Sequence, residues 1–357
     1  MYHRIKQIAL TSALLASVVA ICLAAGEPGF IDVLDTPAKK SSLVAKAHFN
    51  GIAVAGKRLV SVGQRGYIVY SDDQGATWVQ ASVPVSADLT AVSFPTPGKG
   101  WAVGHDGVVL NSTDGGATWS RQLDGHSLAK IIADYYGAHP SAGPDAARLQ
   151  DELQQYVDKG PDKPLLDVWF ENETNGYIVG AFNLIFRTVD GGKSWEPLLD
   201  RTDNPKRFHL YGIRPVGTDL YLCGEQGLAL KLDRQTGRFR ALTVPYNGTL
   251  FGITGKPGAL IAHGLRGNVF RSADAGTTWK KVETGIPVGI ICGTVMDDGR
   301  IVLVNQAGNL LVSADNGESF SQAKVEQPFS ATSVAPLGDQ TVMLAGPRGM
   351  RKQTLKQ

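Results

Sequence analysis

The chain has 357 residues, of which 43% are hydrophobic and 8% aromatic, enough to bury a sizeable core and to exclude wholesale disorder. Charged residues make up only 19% and glycines number 42, a composition of many short strands joined by tight turns. A formal net charge of +2 excludes a protein that coats nucleic acid electrostatically.

Taken in chain order, the first element is a basic stretch, His3, Arg4 and Lys6, followed by an almost wholly apolar run from Ile8 to Ala25. Small residues follow at Ala24, Ala25 and Gly26. This reads as a secretory signal over residues 1–25, ahead of a mature domain over 26–357. If retained, the same 18 residues would be barely long enough to anchor the chain in a bilayer. Val19-Ala20-Ile21 before Cys22 is a poor lipidation sequence. Removing residues 1–25 takes away Arg4 and Lys6 and no acid, which leaves no net charge. The expected location is therefore outside the cytoplasm, in a periplasm or peripheral to the outer side of the inner membrane.

After Phe30-Ile31-Asp32-Val33-Leu34, an orphan apolar run, the chain becomes repetitive. Ser71-Asp72-Asp73-Gln74-Gly75-Ala76-Thr77-Trp78 recurs as Ser112-Thr113-Asp114-Gly115-Gly116-Ala117-Thr118-Trp119. It returns from Thr188 to Trp195, from Ser272 to Trp279 and, with Phe for Trp, from Ser313 to Phe320. Lys231-Leu232-Asp233, with Gly237 and Phe239, is a worn copy. The aspartates at 73, 114, 190, 233, 274 and 315 are separated by 41, 76, 43, 41 and 41 residues, so one interval contains an insertion. Asp73, Asp114, Asp190, Asp274 and Asp315 are read as structural: the carboxylate accepts backbone N–H groups of a turn, the glycine supplies positive φ, and the aromatic starts the next strand.

About ten residues before each aspartate comes a second repeat, Gly63-Gln64-Arg65-Gly66, Gly104-His105-Asp106-Gly107, Gly224-Glu225-Gln226-Gly227 and Gly264-Leu265-Arg266-Gly267. Gly346-Pro347-Arg348-Gly349 is read as the same element. These are hairpin turns in which the x-Gly pair permits a primed geometry. Upstream lie apolar runs at Leu89–Phe94, Leu165–Phe170, Leu210–Arg214, Leu250–Thr254, Ile290–Val295 and Ser330–Ala335. Each unit is thus a four-stranded blade, and the fold predicted is an all-β, seven-bladed β-propeller. The seventh unit stops after three strands. Residues 30–36 are expected to supply the missing outer strand beside Met350–Leu355 and so close the ring.

The insertion covers residues 124–164 and lies between the second and third blades. Apolar residues at helical spacing run from Ser127 to Tyr136 and again from Pro144 to Val157, with Gly137–Gly143 between them, predicting a helical hairpin. Its seven acids and four bases give it a net charge of −3. Cys223 and Cys292 sit inside apolar strands and are expected to be buried small hydrophobes, not a disulfide framework. No His or Cys pair has zinc-ligand spacing, and neither a metal nor a cofactor is expected.

The boxes resemble the Asp-box of neuraminidase-type repeats. Together with the export signal, the seven units and the stretch Gly100-Trp101-Ala102-Val103-Gly104-His105-Asp106-Gly107, they resemble the photosystem II stability/assembly factor family and its bacterial relatives. The resemblance covers roughly residues 30–355. It implies a non-enzymatic, monomeric chaperone that docks on a membrane protein or a membrane-associated complex and binds no nucleic acid. For relatives without photosystems, it implies work beside a membrane exporter. It also implies an arginine docking patch. Two other classes compete with this reading. A sialidase-like glycosidase needs an arginine triad, announced by Arg-Ile-Pro before the first box; this chain has none there, and Gly212-Ile213-Arg214-Pro215 has the wrong order and position. A glycan- or ligand-binding propeller without chemistry is the third class. The partner-binding residues expected are Arg65, Arg266 and Arg348 in the x-Gly turns, joined by Arg201, Lys206 and Arg207 in the connection after Trp195.

Overall fold

A computed structural model describes residues 31–140, 154, 162–325 and 327–355. The predicted signal and, apart from Gln154, the second arm of the predicted helical hairpin lie outside the described residues. Seven antiparallel sheets follow one another along the chain, six of four strands and a last one of three. Each runs from the axis outward in sequence order. The inner strands are Phe49–Ala55, Leu89–Ser93, Leu165–Phe170, Leu210–Val216, Leu250–Lys256, Ile290–Val295 and Ser333–Pro336. This is the seven-bladed propeller expected from the repeat. Among the described residues, no helix is long and apolar enough to cross a membrane.

The core is divided among the seams between blades. Second strands such as Gly100–Gly104 and Gly176–Gly180 are buried along their whole length, because both faces of each sheet pack on neighbours. The seam between blades 2 and 3 stacks Trp101 on Phe170, with ring centroids 3.5 Å apart. The seam between blades 7 and 1 joins Phe49, Ile52, Leu59 and Val69 to Ala335, Met343 and Ala345. Hydrogen bonds reinforce it: Thr332 Oγ1 donates to the Phe49 carbonyl at 2.6 Å, and the Ile52 N–H donates to Ser333 Oγ at 3.3 Å.

Ring closure therefore differs from the sequence expectation. The last sheet keeps three strands among the described residues, and Val33–Asp35 is a turn instead of a strand. The cause is local. Asp32 Oδ1 accepts the Leu34 N–H at 2.9 Å, and the Asp32 carbonyl accepts the Asp35 N–H at 3.0 Å. Leu34 is then buried in the seam of blades 1 and 2, among Val85, Ala87 and Val108. Arg121 Nη1 donates to its carbonyl at 2.7 Å. The segment braces the first two blades, and the ring closes through side-chain packing.

The insertion begins with helix Gly125–Ala138, starting two residues ahead of the periodic stretch because Asp124 caps it and accepts the Ser127 N–H at 2.9 Å. Leu128, Ile132 and Tyr136 share one face and pack into the seam of blades 2 and 3.

Candidate functional site

The Asp-boxes occupy the turns between third and fourth strands. In the first, Asp73 Oδ1 accepts the Thr77 N–H at 2.8 Å and Asp73 Oδ2 accepts the Thr77 hydroxyl at 2.6 Å. Ser71 Oγ donates to Oδ1 at 2.7 Å and accepts the Gly75 N–H at 2.8 Å. Hydroxyl bonds from Thr77, Thr278 and Ser319 hold Asp73, Asp274 and Asp315 down to about 2. Burial works against the Ser194 bond at Asp190, which still falls to about 2. Burial likewise opposes the Thr118 and Ser112 bonds at Asp114, which is lowered all the same. The carboxylates are thus tied into their own loops.

The opposite face carries the turns between second and third strands. In five blades both central residues have positive φ: Arg65 with Gly66, Asp106 with Gly107, Phe182 with Asn183, Gln226 with Gly227 and Arg266 with Gly267. This is the primed geometry, closed by a bond such as Tyr67 N–H to the Gln64 carbonyl at 3.0 Å. Blade 3 was missed in the sequence because Asn183 stands where the others have glycine. Its side chain is buried and accepts from Thr202 Oγ1 at 3.0 Å and Asn204 Nδ2 at 2.9 Å. Arg65 and Arg266 are exposed at equivalent positions, and Asp88 accepts the Arg65 backbone N–H at 2.7 Å. Arg348 is exposed but not equivalent. Gly346 pairs with Gly349, so Pro347 and Arg348 are the central residues of that turn, and Arg348 is not among the residues with positive φ. Proline fixes φ near −65°, which forbids the primed turn there.

The structure puts Arg65 and Arg348 on neighbouring blades, whose Tyr67 and Met350 share one seam. Arg266 lies two blades from Arg348. The connection after Trp195 has another character. Arg201 Nη2 contacts Glu196 Oε1 at 3.0 Å and Tyr135 Oη at 2.9 Å, tying the helix to blade 3. Tyr136 Oη donates to Asp200 at 2.7 Å. Arg207 Nη1 donates to the Leu199 carbonyl at 2.8 Å, whereas Lys206 is exposed. Arg201 and Arg207 thus hold the loop and the helix in place.

Sequence reading missed the axial channel. Six inner strands carry a β-bulge at their second residue, one residue after the pairing with the last residue of the second strand, which is a glycine in five of them and Asn305 in the sixth blade. Bulges re-aim side chains, and these line a cavity of about 460 Å³. Its mouth is an asymmetric collar. Leu166, Tyr211, Phe251 and Ile291 form an apolar arc over blades 3 to 6, with the Tyr211 and Phe251 ring centroids 6.3 Å apart. Asn50, Thr90 and Thr332 form a polar arc over blades 1, 2 and 7, and each bonds a neighbouring blade, as Asn50 Nδ2 does to the Leu89 carbonyl at 2.8 Å. The next inner-strand residue is small in six blades and Asp167 in blade 3.

Asp167 is buried. Its Oδ1 accepts the Val168 N–H at 3.0 Å; its Oδ2 accepts the Ile213 N–H at 2.8 Å and the Arg214 guanidinium. Burial pushes this carboxyl up, opposed by Arg214 and the two backbone N–H groups. Burial also depresses His263 to about 4, leaving it neutral against the Ile290 carbonyl at 3.1 Å, and raises the Cys223 and Cys292 thiols to about 12. An aspartate inside the apolar run Leu165–Phe170 and the arginine of Gly212-Ile213-Arg214-Pro215 were the sequence signals that could have found this pair.

A family model described as photosynthesis system II assembly factor YCF48 matches residues 70–132 and 147–322. The photosystem II assembly lipoprotein Ycf48 of Synechococcus sp. (strain CC9902) is 28% identical over 180 residues, covering 49% of this chain and 53% of its own length. That of a Prochlorococcus marinus strain is 28% identical over 192 residues, 53% of this chain and 55% of its own. The chain therefore spans about half the length of the curated relatives it matches. Among solved structures, one described as YCF48 bound to D1 peptide superposes with a TM-score of 0.64 at 16% identity, covering 87% of this chain and 94% of that one. YCF48 from Cyanidioschyzon merolae gives 0.61 at 17% identity, over 89% and 98%. Both show the same fold.

Proposed function

The chain belongs to the photosynthesis system II assembly factor YCF48 family, and from that premise we propose that it is a non-enzymatic, exported propeller. It docks on a membrane protein or membrane-associated complex and assists its assembly. In a host without photosystems, that complex is a membrane exporter. The observation that carries this reading is the turn face. Arg65 and Arg266 are held exposed at left-handed positions, where glycine or asparagine would be easier to accommodate. Arginine at an exposed, rigid turn is a natural docking group for an acidic segment. Arg348 on the neighbouring blade and Lys206 beyond the helix extend the positive face. Arg201 and Arg207 support it from beneath.

Two further facts favour partner binding over chemistry. The box carboxylates are engaged in their own turns, and His263 is buried, neutral and bonded to a backbone carbonyl. A solved structure of the same fold is described as bound to a D1 peptide. Export is supported by the basic and apolar pattern of residues 1–25 and by the lipoprotein names of the relatives. The test is co-purification from the native membrane, with the partner identified by mass spectrometry. Arg65, Arg266 and Arg348 changed together to Ala should lose the partner while the fold is kept. Full recovery of the same partner by the folded triple variant removes this face as the docking site.

A further inference from the structure

The channel lining holds, among the described residues, one cation whose hydrogen-bonding capacity is only partly used. Arg214 Nη1 bonds Asp167 and the Ile213 carbonyl. Its Nε and Nη2 have no hydrogen-bond partner among the described residues, and its side chain is 48% exposed although it lines the cavity. Asp167 meanwhile has two backbone donors besides the guanidinium. The pair therefore fixes Arg214 in orientation and leaves one edge of a planar, permanently charged fork facing the channel. Among the described residues, Asp167 is the sole acid lining this cavity, and it is occupied.

From this arrangement we infer that the axial channel binds a small aromatic monocarboxylate, its carboxylate on the Nε–Nη2 edge of Arg214 and its ring against Tyr211 and Phe251. A planar carboxylate matches that edge in a bidentate pair. A monoanion suits a single guanidinium already shared with one acid. The apolar arc over blades 3 to 6 supplies the wall for a ring, while the polar arc is engaged between blades. The cavity of about 460 Å³ lies in the range of small-molecule sites. This site lies on the axis and is independent of the arginine turns.

Titration calorimetry with benzoate, benzamide and acetate on the unmodified protein tests it directly. Benzoate should bind one to one and at least about tenfold tighter than benzamide, which has the ring but not the charge. Acetate should bind weaker than benzoate by a similar factor of about ten, for loss of the ring. Arg214→Lys, which keeps the charge but not the fork, should weaken benzoate about tenfold. Should Arg214→Lys fail to fold, the double variant Asp167→Asn with Arg214→Gln removes both charges together, and it should abolish the preference for benzoate over benzamide. The Arg65, Arg266 and Arg348 triple variant should bind benzoate unchanged, so failure of the docking proposal and failure of this one read out separately. Equal affinity for benzoate and benzamide, or full benzoate binding by the double variant, overturns the site. Acetate as tight as benzoate overturns the aromatic contact.

Discussion

The two faces of the propeller use repetition in opposite ways. On the Asp-box face the residues repeat: Ser or Thr, Asp and Gly return at fixed spacing, and their polar atoms are satisfied inside each loop. On the turn face the backbone repeats and the residue does not. The first central position of five turns has φ between 51° and 57°, yet it carries Arg65, Asp106, Phe182, Gln226 and Arg266. A repeated side chain marks a part the fold requires. A repeated backbone bearing varied side chains marks a rigid frame on which chemistry can change. The channel collar follows the second pattern, with one bulge geometry and different side chains around it.

The channel pair should be the most sensitive point of the functional half. Asp167→Ala leaves the Val168 and Ile213 N–H groups without their acceptor and frees Arg214, a loss of about 3–5 kcal/mol in urea unfolding. Asp167→Asn keeps an acceptor and should lose less. Equal stability of Asp167→Ala and the parent would show that the pair does not brace the seam of blades 3 and 4.

A smaller loss is expected at the N-terminal brace. Leu34→Ala removes a side chain buried in the seam of blades 1 and 2, which should cost about 2–3 kcal/mol. Replacing exposed Ile31 by Ala should change stability by less than about 0.5 kcal/mol. If the two replacements were equal, the segment would not act through the packing of Leu34.

How much of this could be read from the sequence divides along the same line. The blades, their number, the insertion and the primed turns were legible, because each rests on residues recurring at nearly constant spacing. The N-terminal segment was misread because Phe30-Ile31-Asp32-Val33-Leu34 is a short apolar run with no blade of its own and the last blade lacks a strand, while the deciding fact is the Asp32 carboxylate folding back on the Leu34 N–H. Arg348 was misplaced because Gly-x-Arg-Gly matches in letters, whereas Pro347 changes the turn. The channel left a faint signal: an apolar residue, any residue, then a small one opens most inner strands, as in Phe49-Asn50-Gly51 and Leu250-Phe251-Gly252. Read as one apolar run, that pattern conceals the bulge.

The Asp-box face can be tested by acid. Four box carboxylates have folded pKa values near 2, below the ordinary 3.8. A depressed carboxylate adds stability that is full above its unfolded pKa and is lost as pH falls through the folded one. The contribution should therefore be intact above about pH 4 and fade toward pH 2. Asp190→Ala should cost about 1–2 kcal/mol at neutral pH, reduced by solvent exposure, and the difference from the parent should shrink as the pH approaches 2. A pH-independent difference would mean that Asp190 acts by shape and not as an ion.

The smallest effect concerns the turn face, and its sign is reversed. Arg65 and Arg266 occupy left-handed backbone at φ 57°, a region that disfavours long side chains and suits asparagine before glycine. Neither arginine head makes a side-chain hydrogen bond or ion pair among the described residues, so their removal forfeits no such contact in the fold. Arg65→Asn and Arg266→Asn should each raise stability by about 0.5–1 kcal/mol, seen as a higher denaturation midpoint with unchanged slope. The same two changes should lower partner recovery from the membrane. Gain of stability with loss of partner is the signature of residues kept for binding at the expense of the fold. Gain of stability with full partner recovery would instead assign both arginines to the solvated surface, and the docking group would have to be sought at Arg348 and Lys206. Loss of stability would show that the arginine side chains hold the turns, and the contrast between the two faces would fail at the position where it is drawn most sharply.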